Sequence, residues 1–367
     1  MKKIKKDLIL FMPSIEGGGV EKNLFIIANF FSKKLNKIKL ITYDNSFSNN
    51  FDKKIEIIYS KKKSSGESKY YKYFVCLWLL FKQFLSKKNI LIFSFQANIY
   101  CLILSKILNF DIIIRSNSSP SGWSNSYIKN FIFKFFFKYA KEIIVNSYEF
   151  KRQLDKKFNI NCKVIYNPLN KTEIKKKSRE KFIFNFFQKK KYFKFINIAR
   201  FTDQKDHITL LNAFKNINNK IKYKLLIMGY GTNKSKIINF IQENNLHKKI
   251  KVIRFQKNPY KFLYNSDVLV STSIYEGLPN VLLEAQTLKK FIISSDCPTG
   301  PKEILNYGKY GYLFKTRSIK DLENKILNYK KNKKINKMIK KGYKNLDRFN
   351  LKNNNLKYLN LINNYLK

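Results

Sequence analysis

Short apolar runs alternate with amphipathic stretches along nearly the whole chain. In the first half, the apolar runs predict seven strands, over residues 7–12, 38–43, 55–59, 89–95, 111–115, 142–146 and 163–166. A second series predicts strands over residues 193–199, 224–228, 250–254, 267–272 and 291–294, with helices over residues 207–217, 234–244, 259–265 and 280–288. Because strands that alternate with helices form parallel sheets with crossover connections, the pattern predicts an α/β protein with two doubly wound domains.

The chain length agrees with this division. A chain of 367 residues exceeds the roughly 250 residues that a single hydrophobic core usually serves. We predict a first domain over residues 1–168, a Lys-rich linker over 169–191, a second domain over 192–348 and a terminal segment over 349–367. Spaced leucines in the terminal segment predict a final helix.

The chain carries an unusual charge, with 74 Lys and Arg residues against 24 Asp and Glu residues and a net charge of +50. Only seven of the 74 are Arg, while Lys, Asn, Ile, Phe and Tyr are abundant in every segment. These five residues have codons built from A and T, so base composition explains the charge without a partner. A nucleic-acid-binding protein would gather its basic residues on one face, whereas lysine here is spread along the entire chain. We therefore expect no specific nucleic acid partner.

The sequence favours a cytoplasmic location. The longest apolar runs, over residues 74–81 and 131–137, are shorter than the roughly 20 residues that a membrane-spanning helix needs. The basic N-terminus leads into a strand-like run without a small-residue cleavage site. The four cysteines lack a Cys-x-x-Cys pair, so neither a disulfide framework nor a zinc site is predicted.

Three of the 12 glycines, Gly17, Gly18 and Gly19, follow the first predicted strand and precede a helix. The carboxyl ends of strands in an open α/β sheet bind ligands, and a helix N-terminus offers N–H groups to an anion. The segment lacks both the G-x-G-x-x-G spacing and the P-loop ending. A tight turn without a ligand is the alternative.

Two glutamates in the second predicted domain stand eight residues apart. Glu276 lies in the loop after a predicted strand, and Glu284 lies about one turn into the helix that begins near Asn280. This spacing lets the two carboxylates contact different ends of one extended ligand, while residues 277–280 offer backbone N–H groups to negative charge. In the alternative, Glu284 is a solvated helix residue and Glu276 interacts with the helix dipole.

The segment around these glutamates, Tyr-Glu-Gly-Leu-Pro-Asn-Val over residues 275–281, resembles the retaining glycosyltransferases of family 4. Residues 199–207 resemble the family's Arg-x4-Lys stretch, residues 17–22 its Gly-Gly-x-Glu loop, and residues 228–231 its Gly-x-Gly turn. All four segments occur in the family's order, so the resemblance extends from residue 8 to about residue 314. It implies the GT-B architecture of two facing Rossmann-like domains with a cleft between them. It also implies that residues 349–367 form a helix that returns to the N-terminal domain.

The resemblance implies roles for individual residues. Arg200 and Lys205 would hold the diphosphate of a nucleotide-sugar, a role that suits fixed cations because the leaving group gains charge in the transition state. Glu276 would contact a hydroxyl of the donor sugar, and these three residues are the catalytic candidates. Glu284 would accept hydrogen bonds from the ribose. The further donor-binding candidates are Gly18 and Gly19 from the first domain and Gly277, Leu278, Asn280 and Val281 from the second.

Two pairs of residues are weaker candidates. Phe255 and Gln256 follow a predicted strand and are candidates for the base pocket, although core packing accounts for Phe255 equally well. Many family members carry a His after the strand that corresponds to residues 111–115, whereas this chain has Arg115 and Asn117 there. Either residue could occupy the donor-facing position, and pairing at the strand end is the alternative for Arg115. The only histidines, His207 and His247, lie in the second predicted domain, where we expect structural or solvated roles.

We expect neither a metal nor another cofactor. No Asp-x-Asp sequence follows a predicted strand. A helix N-terminus together with Arg200 and Lys205 can supply the positive field that a metal provides in other transferases.

The acceptor side is indicated by a basic aromatic stretch over residues 127–141, with lysines at positions 134, 138 and 141. Such a helix suits an anionic bilayer surface and a polyprenyl- or lipid-linked sugar, which predicts a peripheral location on the membrane. A core helix with a solvated lysine face is the alternative. Residues 70–88 allow the same two interpretations.

These observations and the resemblance lead to one hypothesis. The chain is a retaining, metal-independent glycosyltransferase that moves a sugar from a nucleotide-sugar, with UDP as the expected nucleotide, to a saccharide or lipid-linked saccharide in surface polysaccharide or lipopolysaccharide assembly. The alternatives are a nucleotide-sugar 2-epimerase of the same fold, a charge-driven nucleic-acid-binding protein and a catalytically silent scaffold. The epimerase would need acid and base groups, including His, in the cleft.

Overall fold

The computed structural model of the protein describes residues 6–60, 67–117, 120, 126–188 and 191–367. The chain forms two compact units, one containing Met1–Pro168 and Leu351–Lys367 and the other containing Leu169–Asn350. Within the described residues, each unit contains one parallel sheet, with seven strands in the first unit and six in the second. The predicted α/β class with two doubly wound domains is confirmed.

In the first unit, strands and helices alternate in sequence. In chain order the elements are β1 (Asp7–Phe11), α1 (Gly19–Phe31), β2 (Ile38–Ile41), β3 (Ile55–Ile58), α2 (Lys69–Ser86), β4 (Ile90–Ser94), α3 (Asn98–Leu108), β5 (Asp111–Arg115), α4 (Tyr127–Phe137), β6 (Glu142–Val145), α5 (Tyr148–Phe158) and β7 (Lys163–Val164). The order of the strands in the sheet is β3-β2-β1-β4-β5-β6-β7.

Serine side chains cap the N-termini of three of these helices. The Oγ atoms of Ser68, Ser126 and Ser147 accept hydrogen bonds from backbone N–H groups in the first turns of α2, α4 and α5. Such caps satisfy donors that the first helical turn leaves without a carbonyl partner, and each contributes about 1 kcal/mol. The serines therefore fix where these helices begin.

In the first unit, alternating side chains of the strands pack against helices on the two faces of the sheet. In β1, Leu8 and Leu10 belong to a core cluster shared with α1, whereas Ile9 and Phe11 belong to a cluster shared with α2, α3, α4 and α5. Because successive side chains of a strand point to opposite faces, α1 covers one face of the sheet and α2 to α5 cover the other.

The second unit begins within the segment predicted to be a linker. Its elements are α6 (Lys171–Ser178), β8 (Phe193–Ile198), α7 (His207–Asn216), β9 (Tyr223–Gly229), α8 (Lys234–Glu243), β10 (Ile250–Arg254), α9 (Tyr260–Tyr264), β11 (Val268–Ser271), α10 (Asn280–Thr287), β12 (Phe291–Ser295), α11 (Pro301–Ile304), β13 (Tyr312–Phe314), α12 (Ile319–Lys331) and α13 (Ile335–Lys344). The order of the strands in its sheet is β10-β9-β8-β11-β12-β13.

Residues 171–178 form helix α6, although the sequence predicted a linker there. Asn170 caps the helix by accepting a hydrogen bond from the Glu173 N–H at 3.1 Å, and Ile174 and Ser178 are buried. Most other residues of α6 are exposed or half-buried, including its lysines. A helix that buries so few residues looks like a polar linker in the sequence.

The terminal helix α14 (Leu351–Leu366) belongs to the first unit, as the resemblance implies. Tyr358, Ile362 and Leu366 lie in the same core cluster as Leu24 and Phe31 of α1. Helix α14 therefore covers the same face of the first sheet as α1.

Each sheet has a point at which the strand order reverses, between β1 and β4 in the first unit and between β8 and β11 in the second. Ligands of open α/β sheets bind at such points, outside the carboxyl ends of the strands.

Of the helices in the described ranges, none combines the length and the hydropathy that crossing a membrane requires.

Candidate functional site

In the second unit, the candidate residues follow the two strands at the switch point. Strand β8 leads into the loop that carries Arg200, and β11 leads into the loop that carries Glu276. The two strands pair directly, with Phe195 opposite Val268. Because both strands run in the same direction, loops that are about 70 residues apart in sequence meet at one edge of the sheet.

Lys205 and Glu276 form an ion pair at this edge. The Nζ of Lys205 donates to the Oε1 of Glu276, and the two side chains are 15% and 12% exposed. The Ser273 hydroxyl donates to the same carboxylate oxygen at 2.6 Å. Among the described residues, no hydrogen bond reaches the other oxygen, Oε2, so the carboxylate is held in place with one oxygen left to accept from a ligand.

Backbone groups connect the two loops around this pair. The Gln204 amide donates to the Tyr275 carbonyl at 2.8 Å, and the Ile274 N–H donates to the Gln204 carbonyl at 2.8 Å. The Thr272 hydroxyl donates to the Lys205 carbonyl, also at 2.8 Å. The loops therefore behave as one structural element, and the Lys205 side chain is presented from a fixed backbone.

Arg200 lies on the same loop as Lys205, but its environment differs. Its side chain is exposed, and within the described part of the chain its guanidinium has no hydrogen-bond or ion-pair partner. The next residue, Phe201, is completely buried and anchors the loop. Arg200 is thus a positive charge held at the edge of the sheet and open to an anion.

The Gly-x-Gly turn lets this loop lie close to β9. A Cβ atom on Gly229 would stand 1.8 Å from the Ala199 carbonyl oxygen, a distance that no side chain tolerates. The Phe201 N–H donates to the Tyr230 carbonyl at 2.6 Å across the same contact. Gly229 is therefore required to bring the Arg200 loop to its position.

Thr299 and Gly300, after β12, fix the loop of Glu276 from the other side. The Thr299 hydroxyl lies 2.5 Å from the Glu276 carbonyl oxygen and 3.1 Å from that of Gly277. Gly300 has a φ of +59°, and a Cβ there would lie 2.2 Å from the Gly277 carbonyl oxygen. Ser273 and Thr299 were not predicted to belong to the site. Their positions shortly after β11 and β12, which are adjacent strands, are the signal in the sequence that could have identified them.

Glu284 is a buried residue of α10 and not a solvated one. It is 5% exposed, and the Tyr260 hydroxyl lies 3.4 Å from its Oε1. Burial raises the pKa of Tyr260, and the negative charge of Glu284 raises it further. Tyr260 therefore remains a neutral donor that orients the carboxylate.

The predicted main-chain donors lie at the start of the same helix. Gly277 and Leu278 are buried in the loop that leads to α10, and Asn280 and Val281 form its first turn. The positive end of a helix dipole lies at this turn, which favours negative charge nearby.

His207 is buried beside Lys205 and remains neutral. Burial lowers the pKa of His207 to about 4, and the positive charge of Lys205 acts in the same direction. Its ring packs edge-on against Phe201 with centroids 5.3 Å apart, and neither ring nitrogen has a hydrogen-bond partner among the described residues. The expected structural role fits this environment. His247 is exposed.

Phe255 and Gln256 lie at the same sheet edge, beyond β9. The Phe255 N–H donates to the Gly229 carbonyl at 3.0 Å, and its half-buried ring packs edge-on against Tyr230. The Gln256 amide donates to the Arg254 carbonyl at 3.1 Å. The base-pocket role stays a prediction.

In the first unit, the glycine loop lies at the switch point of its own sheet. Helix α1 begins at Gly19, with Gly18 as its N-cap, directly after β1. The Ser14 N–H donates to the Gln96 side chain at 2.8 Å, which ties this loop to the one that follows β4. Gly18 is half-buried and Gly19 is exposed.

Arg115 and Asn117 are used inside the first unit. The Arg115 side chain is completely buried, donates to the Tyr358 hydroxyl at 3.0 Å and to the Asn167 side chain at 2.6 Å, and also donates to Asn117. The Asn117 amide donates to the Phe95 carbonyl at 2.8 Å. These contacts favour the pairing alternative for Arg115 and a positioning role for Asn117, because a guanidinium with no exposed surface has no access to a donor.

Over the ranges that the structure covers, no group of three or more His, Cys, Asp or Glu side chains is arranged to hold a metal ion.

Residues 178–345, which lie within the second unit, match the family model described as Glycosyl transferases group 1. An uncharacterized glycosyltransferase of Methanocaldococcus jannaschii is 36% identical over 234 residues, covering 58% of this chain and 57% of the relative. The N-acetylgalactosamine-N,N'-diacetylbacillosaminyl-diphospho-undecaprenol 4-alpha-N-acetylgalactosaminyltransferase of Campylobacter jejuni is 26% identical over 246 residues, covering 64% of each chain. The matched region therefore spans 57% to 64% of these relatives.

Among solved structures, HepE of Anabaena in complex with UDP aligns with a TM-score of 0.76. The alignment covers 98% of this chain and 100% of HepE, at 17% sequence identity. This similarity confirms the predicted GT-B fold.

Proposed function

We propose that this chain, whose residues 178–345 match the model of the glycosyl transferases group 1 family, transfers a sugar from a nucleotide-sugar to a saccharide acceptor. The observation that carries the proposal is the Lys205–Glu276 pair at the switch point of the second sheet, with the exposed Arg200 on the same loop as Lys205. It combines one anchored cation, Lys205, and one exposed cation, Arg200, for a diphosphate with a carboxylate for a sugar.

The two cations suit the charge that develops during the reaction. When the bond between the sugar and the diphosphate breaks, negative charge accumulates on the leaving oxygen. Fixed positive groups that need no rearrangement stabilise such charge effectively. Arg200 can bind two phosphate oxygens with its planar guanidinium, whereas Lys205 acts as a point charge.

The two carboxylates serve different parts of the donor. Glu276, held through Oε1 by Lys205 and Ser273, offers Oε2 to a hydroxyl of the sugar. Glu284, one turn into α10 and oriented by Tyr260, offers its carboxylate to the ribose hydroxyls. The first turn of α10 lies between the two glutamates in sequence and favours the phosphates.

We further propose that the donor is a UDP-sugar and that transfer is retaining and independent of a metal. The UDP in the HepE complex supports the nucleotide. In a front-face transfer the departing phosphate can take the proton of the acceptor hydroxyl, so no protein base is needed. Arg200, Lys205 and the positive end of α10 supply the positive field for the diphosphate.

The acceptor that we propose is a saccharide or a lipid-linked saccharide in surface polysaccharide assembly. The name of the Campylobacter jejuni relative describes a diphospho-undecaprenol-linked acceptor, which supports this class. The aligned region covers 64% of that relative.

A screen of UDP-, GDP- and ADP-sugars tests the proposal. Each is measured for protection against thermal unfolding and for release of the nucleoside diphosphate in the presence of EDTA. We expect protection and slow release with at least one UDP-sugar. Absence of both with every donor would refute the proposal, and conversion of a UDP-sugar to its 2-epimer without release of UDP would instead support an epimerase.

A further inference from the structure

We infer that the outer faces of helices α2, α3 and α4 form a surface that binds an anionic lipid bilayer. We call this surface the aromatic-lysine face. The inference concerns the first unit alone and goes beyond the proposed transfer reaction.

The three helices lie on the same face of the first sheet. Cys76 and Leu80 of α2, Cys101 of α3 and Phe137 of α4 share one buried cluster with the strands. The opposite sides of these helices therefore point away from the core. Helix α3 packs against both α2 and α4, so the outer sides are neighbours.

Large apolar side chains are concentrated on these outer sides. Nineteen large apolar side chains are exposed among the described residues, and twelve of them lie on these three helices. On α2, Tyr70, Phe74 and Trp78 are 71%, 69% and 51% exposed and follow one another at four-residue intervals, which places them on one stripe. On α4, Ile128 and Phe131 are 74% and 71% exposed.

Helix α4 is not the core helix with a solvated lysine face that the sequence also allowed. Phe137 alone among its eleven residues is buried, and the exposed positions include its aromatic and aliphatic side chains as well as its lysines. Proteins rarely expose contiguous apolar surface of this kind unless it binds a partner or a membrane.

The absence of acidic residues on the face indicates the partner. Lysine is abundant in every segment of the chain, but helices α2, α3 and α4 combine six lysines with neither Asp nor Glu, so the positive charge of this face is not compensated on the three helices. The ammonium group of Lys106 lies 4.3 Å from the ring centroid of Phe135 on α4, and that of Lys82 lies 5.5 Å from the Trp78 ring. Aromatic side chains that sit at headgroup level, interleaved with lysines that contact lipid phosphates, are what an anionic bilayer surface binds.

A second copy of the chain fits this face less well. A symmetric contact would bring the six lysines of one copy against those of the other, and like charges in an interface oppose association. The same three helices offer no carboxylate to compensate them. An anionic bilayer neutralises the lysines and buries the aromatic rings at the same time.

Trp78 reports directly on the face. The chain has two tryptophans, Trp78 and Trp123, so the variant Trp123→Phe leaves Trp78 as the only tryptophan, whose emission can be excited selectively over that of the tyrosines. We expect vesicles of phosphatidylglycerol to shift its emission to the blue and brominated lipids to quench it. Vesicles of phosphatidylcholine should have little effect, and high salt should reverse the binding. Equal binding to both lipids, or no binding to either, overturns the inference.

Substitutions on the face provide the matched comparison. We expect the double variant Phe74→Ser, Phe131→Ser, measured by vesicle sedimentation, to weaken binding about tenfold or more. The control Ile183→Ser removes an equally exposed side chain, 74% exposed, from the second unit and should bind as the wild type does. Weakening of equal size in the control contradicts the assignment.

Two further measurements distinguish membrane binding from the alternatives. UDP affinity should be unchanged in the double variant, because neither Phe74 nor Phe131 is among the proposed donor-binding residues, so a loss of vesicle binding alone does not bear on the transfer reaction. Sedimentation velocity without lipid should show the same association state in wild type and double variant. A dimer that the double variant dissociates, together with unchanged vesicle binding, would show that the face contacts a second copy.

Discussion

The Nζ of Lys205 donates to the Oε1 of Glu276 across 71 positions of sequence. Ser273 donates to the same oxygen, and the Thr272 hydroxyl holds the backbone of Lys205 itself. The pair thus joins the loops after β8 and β11 and sets the positions of both charges before any ligand arrives. Preorganised charge of this kind is what an enzyme requires to stabilise a leaving diphosphate.

Replacing Lys205 by Ala should lower both stability and nucleotide affinity. The Glu276 side chain is only 12% exposed, and the substitution leaves its charge without a cation, at a cost of about 1–3 kcal/mol in the free energy of unfolding. Urea unfolding and UDP titration measure the two effects. The exposed Lys215 on α7 offers a matched control, and Lys215→Ala should leave both quantities unchanged. Unchanged stability in Lys205→Ala would show that the pair does not organise the site.

Replacing Arg200 by Ala should separate binding from stability. Its guanidinium is exposed and has no protein partner among the described residues, so the free energy of unfolding should change by less than about 0.5 kcal/mol. Loss of a charged hydrogen bond to phosphate should weaken UDP binding about 10- to 100-fold. Calorimetric titration of Arg200→Ala beside Arg152→Ala, an exposed arginine of α5, tests this expectation. Equal UDP affinities in the two variants would remove Arg200 from the site.

The Arg115 side chain should matter for the first unit and not for nucleotide binding. Arg115→Met removes three hydrogen bonds in a buried environment, so we expect a loss of about 2–4 kcal/mol in stability with UDP affinity preserved. Thermal unfolding and UDP titration of Arg115→Met and of Arg152→Met give the comparison. Unchanged stability with weakened UDP binding would instead support the donor-facing role.

His207 should make the protein less stable as the pH falls. Its pKa in the folded protein is about 4, below the ordinary value of 6.5, so the unfolded chain takes up a proton between these values while the folded chain does not. The resulting loss in the free energy of unfolding begins as the pH falls below 6.5 and reaches about 3 kcal/mol near pH 4.

Urea unfolding between pH 7 and pH 4.5 measures this dependence. In His207→Phe the ring is kept and the titration is removed, so the slope of stability against pH should be reduced. His247→Gln, at an exposed position, should retain the wild-type slope. The same slope in His207→Phe as in the wild type would assign the pH dependence to other groups.

The sequence predicted much of the architecture because the strands are apolar, regular and separated by helices. Strand β13 (Tyr312–Phe314) was not predicted, because a strand of only three residues is too short to show alternation of apolar and polar side chains. Helix α6 was not predicted either, because it buries little more than Ile174 and Ser178 and its lysines resemble a linker. Both elements are determined by tertiary packing, which a local pattern does not contain.

In the candidate site, too, residues with a local sequence signal were predicted and contacts that depend on tertiary packing were not. Arg200, Lys205, Glu276 and Glu284 were predicted because their segments resemble motifs of a known family, and Arg200 and the two glutamates are of residue types that are scarce against the lysine-rich background. The burial of Arg115 was not predicted, because its partner Tyr358 lies 243 positions away on α14. Side chains that fix a loop through long-range contacts leave no signal in the spacing of their neighbours.

The proposed reaction is tested most directly by the release of UDP from a UDP-sugar in the presence of EDTA and a saccharide acceptor, measured for the wild type, Glu276→Gln and Glu243→Gln. Glu243 is an exposed residue at the end of α8 and provides the matched control. We expect turnover by the wild type and by Glu243→Gln, and a kcat/KM about 100-fold lower or more in Glu276→Gln, the size of effect seen when one preorganised contact is removed. Absence of turnover with every UDP-sugar, or equal turnover by the two variants, would contradict the account.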